Sequence, residues 1–357
     1  MNMRPDISVI VPVFNITNLY EDKCLCFESL IHQTIPLSQL EIVAVDDKSS
    51  DNSVDILKKY KRNYPELFNL VLNEENTRDA SIAGMANTHG EYVAFLDQDD
   101  WLSLDCLEKM LNLAHEKNAD MVCCDYYTTY EQNYNPTNEI SFFNIDTGIM
   151  DENKYRKMLV NCGHITGKLF RKSCFMENGK IKDFFSEQTN CSYGDNCKCP
   201  SIVFSMKSVE YVREPLYYYY RNKFSVTGHF DKRIFADRLN SSRIMLKRMD
   251  GYLQTYYPEI EYLFVHIFYV NSLMGLPIKN FSLLSYSIST AKQIRDETYE
   301  HFPNFKENKY YQERVSRGNK FFVNIQTKSN IAFFVLYFLY LVLRKCKNTV
   351  IKRKQAI

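Results

Sequence analysis

Residues 92–100 read YVAFLDQDD, a short apolar run that ends in three aspartates. A run of this length and composition is typical of a strand buried on both faces of a parallel sheet. An earlier run, EIVAV at residues 41–45, ends in the same way at Asp46 and Asp47. Because both runs end in carboxylates, the sequence predicts a sheet that gathers acids at one edge.

The same alternation of strand and helix signals extends through the first third of the chain. Ser103 is a residue type that caps helices, and we expect it to begin the helix that follows the acidic turn. Strands that alternate with helices form a mostly parallel sheet with right-handed crossovers, and ligands bind outside the carboxyl ends of such strands. Three further strands are predicted, at Ile7–Val13 (ISVIVPV), Leu70–Leu72 and Met121–Tyr127.

These patterns predict an α/β fold, with a Rossmann-like, mostly parallel sheet flanked by helices and a C-terminal helical extension. The chain has 357 residues, which exceeds one ordinary core and favours more than one domain. The predicted divisions are 1–128 and 129–229 for the two halves of the α/β domain, 230–330 for the helical extension, and 331–357 for a tail.

Composition restricts the class of protein. Hydrophobic residues make up 45% and charged residues 24%, which is globular rather than disordered composition. The net charge of +1 gives no basis for a nucleic-acid partner. Met1–Asp6 lacks an apolar run, so no cleavable signal peptide is expected. The eleven cysteines are therefore expected to be free thiols, and their spacing does not favour a zinc site.

The last part of the chain combines an apolar run with basic residues. Ile331–Leu343 (IAFFVLYFLYLVL) has no charge, and six lysines and arginines with no acid follow it. A spanning helix needs about 20 apolar residues, so attachment in the plane of a membrane is expected rather than crossing. The alternative is a buried helix that packs on the rest of the chain and has a solvated basic end.

The two acidic turns have both chemical and structural interpretations. Asp97, Asp99 and Asp100 offer oxygens that suit Mg²⁺ or Mn²⁺ bound to a diphosphate. The alternative is that Asp99 or Asp100 neutralises the amino end of the next helix. Asp47 can accept a hydrogen bond from the imide of a uracil-type base, or it belongs to an ordinary turn. The residues alone leave these alternatives open.

Four segments over about 100 residues carry motifs in a fixed order: Ile7–Asn15 (ISVIVPVFN), Ser29–Thr34 (SLIHQT), Glu41–Ser53 (EIVAVDDKSSDNS) and Gly90–Trp101 (GEYVAFLDQDDW). Together they resemble glycosyltransferase family 2, whose fold is of the GT-A type. One feature departs from the family pattern, because Ala80–Gly84 stands where A-R-N-x-G is usual.

The resemblance implies roles for individual residues. The first half would bind a nucleotide sugar, and the second half would bind the acceptor. The implied donor contacts are Asp47 to the base, Pro12, Phe14 and Asn15 around the nucleoside, Asp97 and Asp99 to ribose and diphosphate, and Arg221 and Ser225 to the diphosphate. Asp99 and Asp100 would hold Mn²⁺ or Mg²⁺, and Trp101 and Lys168 would contact the acceptor. From the residues alone, Arg221 and Ser225 can equally end a strand in solvent, Lys168 can lie at the surface, and Trp101 can pack in the core.

The second half resembles the family in Gly167–Ser173 (GKLFRKS) and Glu214–Thr227 (EPLYYYYRNKFSVT). Between them the family has an E-D pair whose Asp is the catalytic base. Here Gly194 stands where the Glu is usual, so the resemblance implies Asp195 as the base, with Glu187 as the second candidate.

The resemblance therefore implies an inverting glycosyltransferase, and the apolar and basic tail predicts that it acts at the cytoplasmic face of a membrane. It would move a sugar from a nucleotide donor, with UDP favoured by family frequency, to a glycan or lipid-linked acceptor of a surface polysaccharide or glycolipid. A sugar-nucleotide pyrophosphorylase is disfavoured, because no glycine-rich loop follows the first strand. A dehydrogenase is disfavoured because no early strand precedes G-x-G-x-x-G. A non-catalytic sugar-binding relative remains the other alternative.

Overall fold

The computed structural model describes residues 4–20, 23–77, 79–134, 140–161, 163–185, 193–222 and 230–355, with side chains up to Arg344. The chain divides into two compact units. The first comprises residues 1–229 with 247–249, and the second comprises residues 230–246 and 250–357.

The first unit is built on one large mixed sheet. Its strand order is β3-β2-β1-β4-β9-β6-β12-β5, with β7 beside β6 and β8 beside β12. Strands β1, β2, β3, β4, β6 and β12 run parallel, and β9 enters antiparallel between β4 and β6. Strands β10 and β11 form a separate antiparallel pair. The strands of this unit are β1 (Ile7–Val13), β2 (Leu40–Asp46), β3 (Phe68–Leu72), β4 (Tyr92–Phe95), β5 (Trp101–Leu102), β6 (Met121–Thr129), β7 (Ile140–Ser141), β8 (Gly148–Ile149), β9 (Lys168–Arg171), β10 (Met176–Glu177), β11 (Lys180–Ile181) and β12 (Ser208–Tyr220).

Apolar runs in the sequence become the buried centre of this sheet. All residues of β2 are buried, as are all of β1 except Pro12, because helices cover both faces. Just before β4, the backbone of Gly90 lies so close to β1 that a Cβ at this position would be 2.6 Å from the backbone nitrogen of Ser8. This close contact requires glycine. The predicted α/β fold class is confirmed. The helices of this unit are α1 (Leu25–Ile31), α2 (Ser53–Asn63), α3 (Ser81–Ala86), α4 (Cys106–Lys117), α5 (Glu152–Leu159) and α6 (Gly194–Val203).

The prediction that Ser103 begins the next helix is wrong. Helix α4 begins at Cys106, and the Ser103 hydroxyl donates to Asp105 instead. The reason is that β5 pairs with Tyr217 and Tyr218 of β12, so the chain stays extended directly after the acidic turn.

The second unit is helical in the residues described. It contains α7 (Lys232–Arg248, except for its last residues), α8 (Leu253–Phe264), a π-helical turn (Val265–Asn271), α9 (Ser272–Met274), α10 (Leu284–His301), α11 (Lys309–Arg314), α12 (Arg317–Lys328) and α13 (Asn330–Gln355). No helix in the described part of the chain is long and apolar enough to cross a membrane.

Helix α13 contains the apolar run of the tail and has two different faces. Phe333, Phe334 and Tyr337 are buried, and the rings of Phe333 and Tyr337 pack against Phe322 of α12. The opposite side is exposed, with Ile331 at 76% and Leu343 at 69%. One side of the apolar run therefore packs against α12, and the other side is exposed to solvent.

Candidate active site

Three adjacent parallel strands bring the acidic turns together. The Asp47 amide donates to the Val13 carbonyl (2.8 Å), which fixes the end of β2 against the end of β1. On the other side of β1, the Gln98 side chain both accepts from the Phe14 amide (2.9 Å) and donates to its carbonyl (3.0 Å). The turns after β1, β2 and β4 therefore form one edge, as the sequence predicted.

Asp97, Asp99 and Asp100 form a compact acidic cluster at this edge. Each offers a carboxylate oxygen, and these oxygens lie within 4.8 Å of one another. Asp97 is the exposed member of the cluster. Desolvation of its carboxyl group by the surrounding protein, with the charges of Asp99, Asp195 and Asp79, raises its pKa above the usual range. Among the residues that the structure describes, no lysine or arginine forms an ion pair with the cluster.

Asp100 has a structural setting that differs from that of its two neighbours. It is 1% exposed, and both its oxygens accept hydrogen bonds, from the Tyr217 hydroxyl (2.5 Å) and the Tyr220 amide (2.8 Å). Burial and the charges of Asp99 and Asp97 raise its pKa well above the usual range. The hydrogen bonds of Asp100 thus connect the acidic turn to β12. Its role as a metal ligand stays a prediction.

Asp99 is partly exposed, and its side chain accepts a hydrogen bond from one other side chain. Its Oδ2 accepts from the Asn222 side chain (2.7 Å), just after β12 ends. Burial raises its pKa, and the Asn222 hydrogen bond opposes that shift. Asn222 gave no signal in the sequence, because it lies 123 residues from its partner.

The expected nucleoside-binding residues lie beside the acidic cluster. Asn15 follows β1 in the left-handed region (φ 52°), and its side-chain oxygen accepts from the Ser50 amide (2.8 Å). Phe14 is 44% exposed, and Pro12 is half-buried. Lys48, which stands where the family has Gly, also adopts a left-handed conformation (φ 61°), so the backbone geometry is kept without the glycine.

Asp47 is buried beneath the segment that follows β3. Its Oδ1 accepts from the Thr77 amide (2.9 Å), the Thr77 hydroxyl (2.8 Å) and the Asn73 side chain (2.9 Å). Its backbone carbonyl accepts from Asn76 (3.1 Å). Asp47 therefore orders residues 73–77 in addition to lying where a nucleobase contact is expected.

Asp195 lies in the first turn of α6, where the amino end of a helix favours an anion. The Ile165 amide approaches its Oδ2 at 3.4 Å. Burial raises the pKa of Asp195, whereas the Lys198 ammonium lowers it. Because its charge also raises the pKa of Asp97, the predicted base and the acidic cluster influence each other electrostatically.

The two residues expected to contact the acceptor are both buried. Lys168 is 3% exposed rather than at the surface, and its ammonium donates to the carbonyls of His164 (2.6 Å) and Thr166 (3.3 Å). It therefore holds the loop that contains Ile165. Trp101 is fully buried and its ring stacks on Tyr218 (5.4 Å between centroids), which is the core-packing alternative.

The remaining predicted residues fall at the ends of described segments. Arg221 is exposed, its amide donates to the Thr129 carbonyl (2.8 Å), and its guanidinium lies over Tyr219. Ser225 and the second base candidate, Glu187, lie outside the described residues.

Sequence reasoning missed the ion pair of Lys198 with Asp79. Lys198 is buried on α6, and Asp79 precedes α3, 119 residues earlier. The only sequence signal near this ion pair was the departure from the family pattern at residues 80–84 and at Gly194.

Acids at the carboxyl edge of a GT-A sheet define the class of protein, and comparisons with known proteins agree. A profile of glycosyl transferase family 2 matches residues 8–179. The chain is 31% identical over 254 residues to EpsH of Bacillus subtilis (strain 168), which is named as a glycosyltransferase, and the alignment covers 66% of each chain. It is 30% identical over 225 residues to the minor teichoic acid biosynthesis protein GgaB of the same organism, covering 60% of this chain and 23% of GgaB. The protein belongs to glycosyltransferase family 2, as expected.

Solved structures agree on the fold. Residues 1–349 of TarS from S. aureus in complex with UDP-GlcNAc superpose with a TM-score of 0.51 at 16% identity, covering 84% of this chain and 91% of that chain. The same TarS fragment alone gives 0.50. The chain spans about two thirds of the length of EpsH and less than a quarter of GgaB.

Proposed function

We propose that the protein is an inverting glycosyltransferase that moves a sugar from a nucleotide-sugar donor to a glycan or lipid-linked acceptor of a cell-surface polymer. The observation that carries the proposal is the cluster of Asp97, Asp99 and Asp100, whose carboxylate oxygens lie within 4.8 Å of one another at the carboxyl edge of the sheet. Asp195, in the first turn of α6 with its Oδ2 3.4 Å from the Ile165 amide, supplies the base that a single displacement requires.

In the proposed reaction, an acceptor hydroxyl attacks the anomeric carbon of the donor sugar. The C–O bond to the diphosphate breaks, and the nucleoside diphosphate leaves with the bonding electrons. The hydroxyl proton passes to the Asp195 carboxylate as the new bond forms. One in-line attack inverts the anomeric configuration, so a single base is sufficient.

The acidic cluster fits a divalent ion. Carboxylate oxygens are the ligands that Mg²⁺ and Mn²⁺ prefer, and the cluster offers three of them within 4.8 Å of one another. Asp99 is the preferred ligand and Asp97 the second, since both oxygens of Asp100 already accept hydrogen bonds. When bound, the ion would neutralise the departing diphosphate as a Lewis acid.

UDP is the preferred nucleotide, and Asp47 is the preferred base contact. The TarS structure of similar fold carries UDP-GlcNAc, which makes UDP-sugars the first donors to test. The polymer assignment is supported by the names of the relatives, which include teichoic acid biosynthesis.

The experiment is a hydrolysis and transfer screen over UDP-, GDP- and dTDP-sugars, with and without Mn²⁺. Release of free nucleoside diphosphate identifies the donor, and NMR of the product gives the anomeric configuration. Retained configuration would contradict the single displacement. Binding of a nucleotide sugar without any release would favour the non-catalytic relative, and formation of a nucleotide sugar from NTP and sugar phosphate would favour a pyrophosphorylase.

We also propose that α13 binds an anionic membrane surface in the plane of the cytoplasmic leaflet. Its exposed side presents a continuous apolar face, and an exposed face of this kind marks an interaction site. The members of this face, which we call the α13 apolar face, are Ile331, Val335, Leu336, Leu339, Val342 and Leu343.

Charge complementarity supports an anionic lipid surface as the occupant of this face. Six basic residues and no acid follow in residues 344–357, directly after the α13 apolar face. Each lysine or arginine near an anionic leaflet contributes about 1 kcal/mol to binding. An apolar face with a basic end fits an anionic lipid surface better than it fits a second copy of itself, because the second copy would carry the same basic charge.

We expect the Leu339→Ser/Leu343→Ser variant to lose at least about 10-fold in binding to vesicles of phosphatidylcholine with phosphatidylglycerol. Both side chains are exposed, so each substitution removes about 1.5–3 kcal/mol of lipid burial and leaves the fold intact. Co-sedimentation measures the binding, which should also weaken as salt rises.

The matched control is Phe142→Ser/Ile149→Ser, which removes two apolar side chains of the first unit that are more exposed (72% and 74%) than Leu339 and Leu343 (50% and 69%), and it should bind as the wild type does. A wild-type protein that ignores anionic vesicles, or that uses this face to form dimers in solution, would rule the membrane proposal out.

A further inference from the structure

Lys198 of α6 is buried to an extent that is unusual for a lysine. It is 1% exposed, and its ammonium contacts Oδ2 of Asp79 and lies 2.8 Å from the Ser81 hydroxyl. The ring of Phe185 lies 5.1 Å from the same ammonium. A buried charge persists only when it is paired and hydrogen-bonded, so Asp79 and Ser81 hold Lys198 in place.

Asp79 is itself connected to the expected nucleobase site. The Ser81 hydroxyl donates to Oδ1 of Asp79, and the Asp79 amide approaches the Thr77 hydroxyl oxygen at 3.4 Å. That hydroxyl and the Thr77 amide both donate to Asp47. A continuous set of polar contacts therefore runs from Asp47 through Thr77 and Asp79 to Lys198.

Gly194 explains how Asp79 can approach the start of α6 so closely. A Cβ at residue 194 would lie 2.4 Å from Oδ2 of Asp79 and 3.2 Å from Nζ of Lys198. The carboxylate thus occupies the space that any side chain at this position would need. Gly194 immediately precedes Asp195, so the close contact lies at the residue next to the proposed base.

We propose that Lys198 and Asp79 form a positioning pair that fixes the first turn of α6, and with it Asp195, to the segment that Asp47 orders. The proposal rests on the proposed function, in which Asp195 is the base. The pair does not touch the substrates. It holds the base at the distance and angle that the acceptor hydroxyl requires while the donor is bound.

A purely structural pair would give a different result. Replacing both members of a buried ion pair with neutral residues of similar size often leaves stability unchanged or improves it. A structural pair would then leave the reaction unchanged too. A positioning pair would lower kcat even in a well-folded variant, because small displacements of a catalytic group cost up to about 100-fold.

The experiment is the double variant Asp79→Asn/Lys198→Met, which leaves no uncompensated buried charge. We expect a melting temperature near that of the wild type, a kcat for transfer about 10- to 100-fold lower, and a donor KM within about threefold of the wild type. Steady-state kinetics with the donor identified in the screen measure both constants.

Gly194→Ala gives a second test that keeps both charges. The added methyl group displaces the Asp79 carboxylate, so kcat should fall while the donor KM changes little. Gly251→Ala is the matched control, since nothing lies within 4 Å of a Cβ there, and it should react as the wild type does.

A folded Asp79→Asn/Lys198→Met variant with wild-type kcat would overturn the proposal, as would a fully active Gly194→Ala variant. Asp195→Asn distinguishes this failure from that of the proposed function. If Asp195→Asn is inactive and the pair variants are active, only the positioning role fails. If Asp195→Asn is active, the assignment of the base itself is wrong.

Discussion

Transfer by the Asp195→Asn variant is expected to fall on the order of 10²- to 10⁴-fold, the usual cost of losing a general base. Asparagine keeps the size of the side chain but cannot accept the acceptor proton. Burial raises the pKa of Asp195, and the resulting gain in basicity is lost in the variant. Donor binding should survive, because Asp195 is proposed to act on the acceptor side. Product formation and UDP affinity, measured on the same preparation, separate the two effects.

The matched control is Asp55→Asn, which removes another aspartate from the first turn of a helix, at an exposed position of α2. It should transfer at the wild-type rate. If Asp195→Asn transfers normally while Glu187→Gln does not, the base has been assigned to the wrong acid.

The Asp99→Ala variant is expected to bind UDP at least about 10-fold more weakly in the presence of Mn²⁺, the scale of loss seen when support for a metal site is removed. EDTA should abolish wild-type activity, and Mn²⁺ or Mg²⁺ should restore it. Stability should hold or rise, because Asp99 is one of the charges that raise the pKa of Asp97. Calorimetric titration and thermal unfolding measure the two quantities.

Asp100→Ala is the informative comparison within the same cluster. It leaves the Tyr217 hydroxyl and the Tyr220 amide without their acceptor, and each buried unsatisfied group costs about 1–3 kcal/mol. We therefore expect Asp100→Ala to lower the melting temperature and Asp99→Ala to lower the metal-dependent affinity. Equal UDP binding by Asp99→Ala and the wild type would contradict the metal assignment.

Local sequence patterns were sufficient for the strands and the acidic edge. β1, β2 and β4 lie within a residue or two of the predicted runs, because burial on both faces demands continuous apolar segments. Asp47 and Asp97 follow such runs, so parallel pairing alone brought them to one edge. The start of α4 was mispredicted because the pairing of β5 with β12 depends on residues more than 100 positions away.

The sequence by itself determined the family, the parallel core and the acids at its edge, because those features depend on residues close together in the chain. Only the tertiary structure decided the environment of each acid. It gave Asp99 its partner Asn222, fixed Asp100 to β12, and buried Trp101 and Lys168.

The departures from the family pattern at residues 80–84 and at Gly194 also differ in what the sequence and the tertiary structure reveal about them. In the sequence they are two separate departures from the family pattern: the loss of the arginine and asparagine of A-R-N-x-G, and the loss of the glutamate of the E-D pair. In the structure they meet, because the Asp79 carboxylate fills the space left by Gly194 and binds Lys198. No periodicity or motif records that contact, since it depends on how α3 and α6 pack, and packing brings together residues that the chain separates by more than a hundred positions.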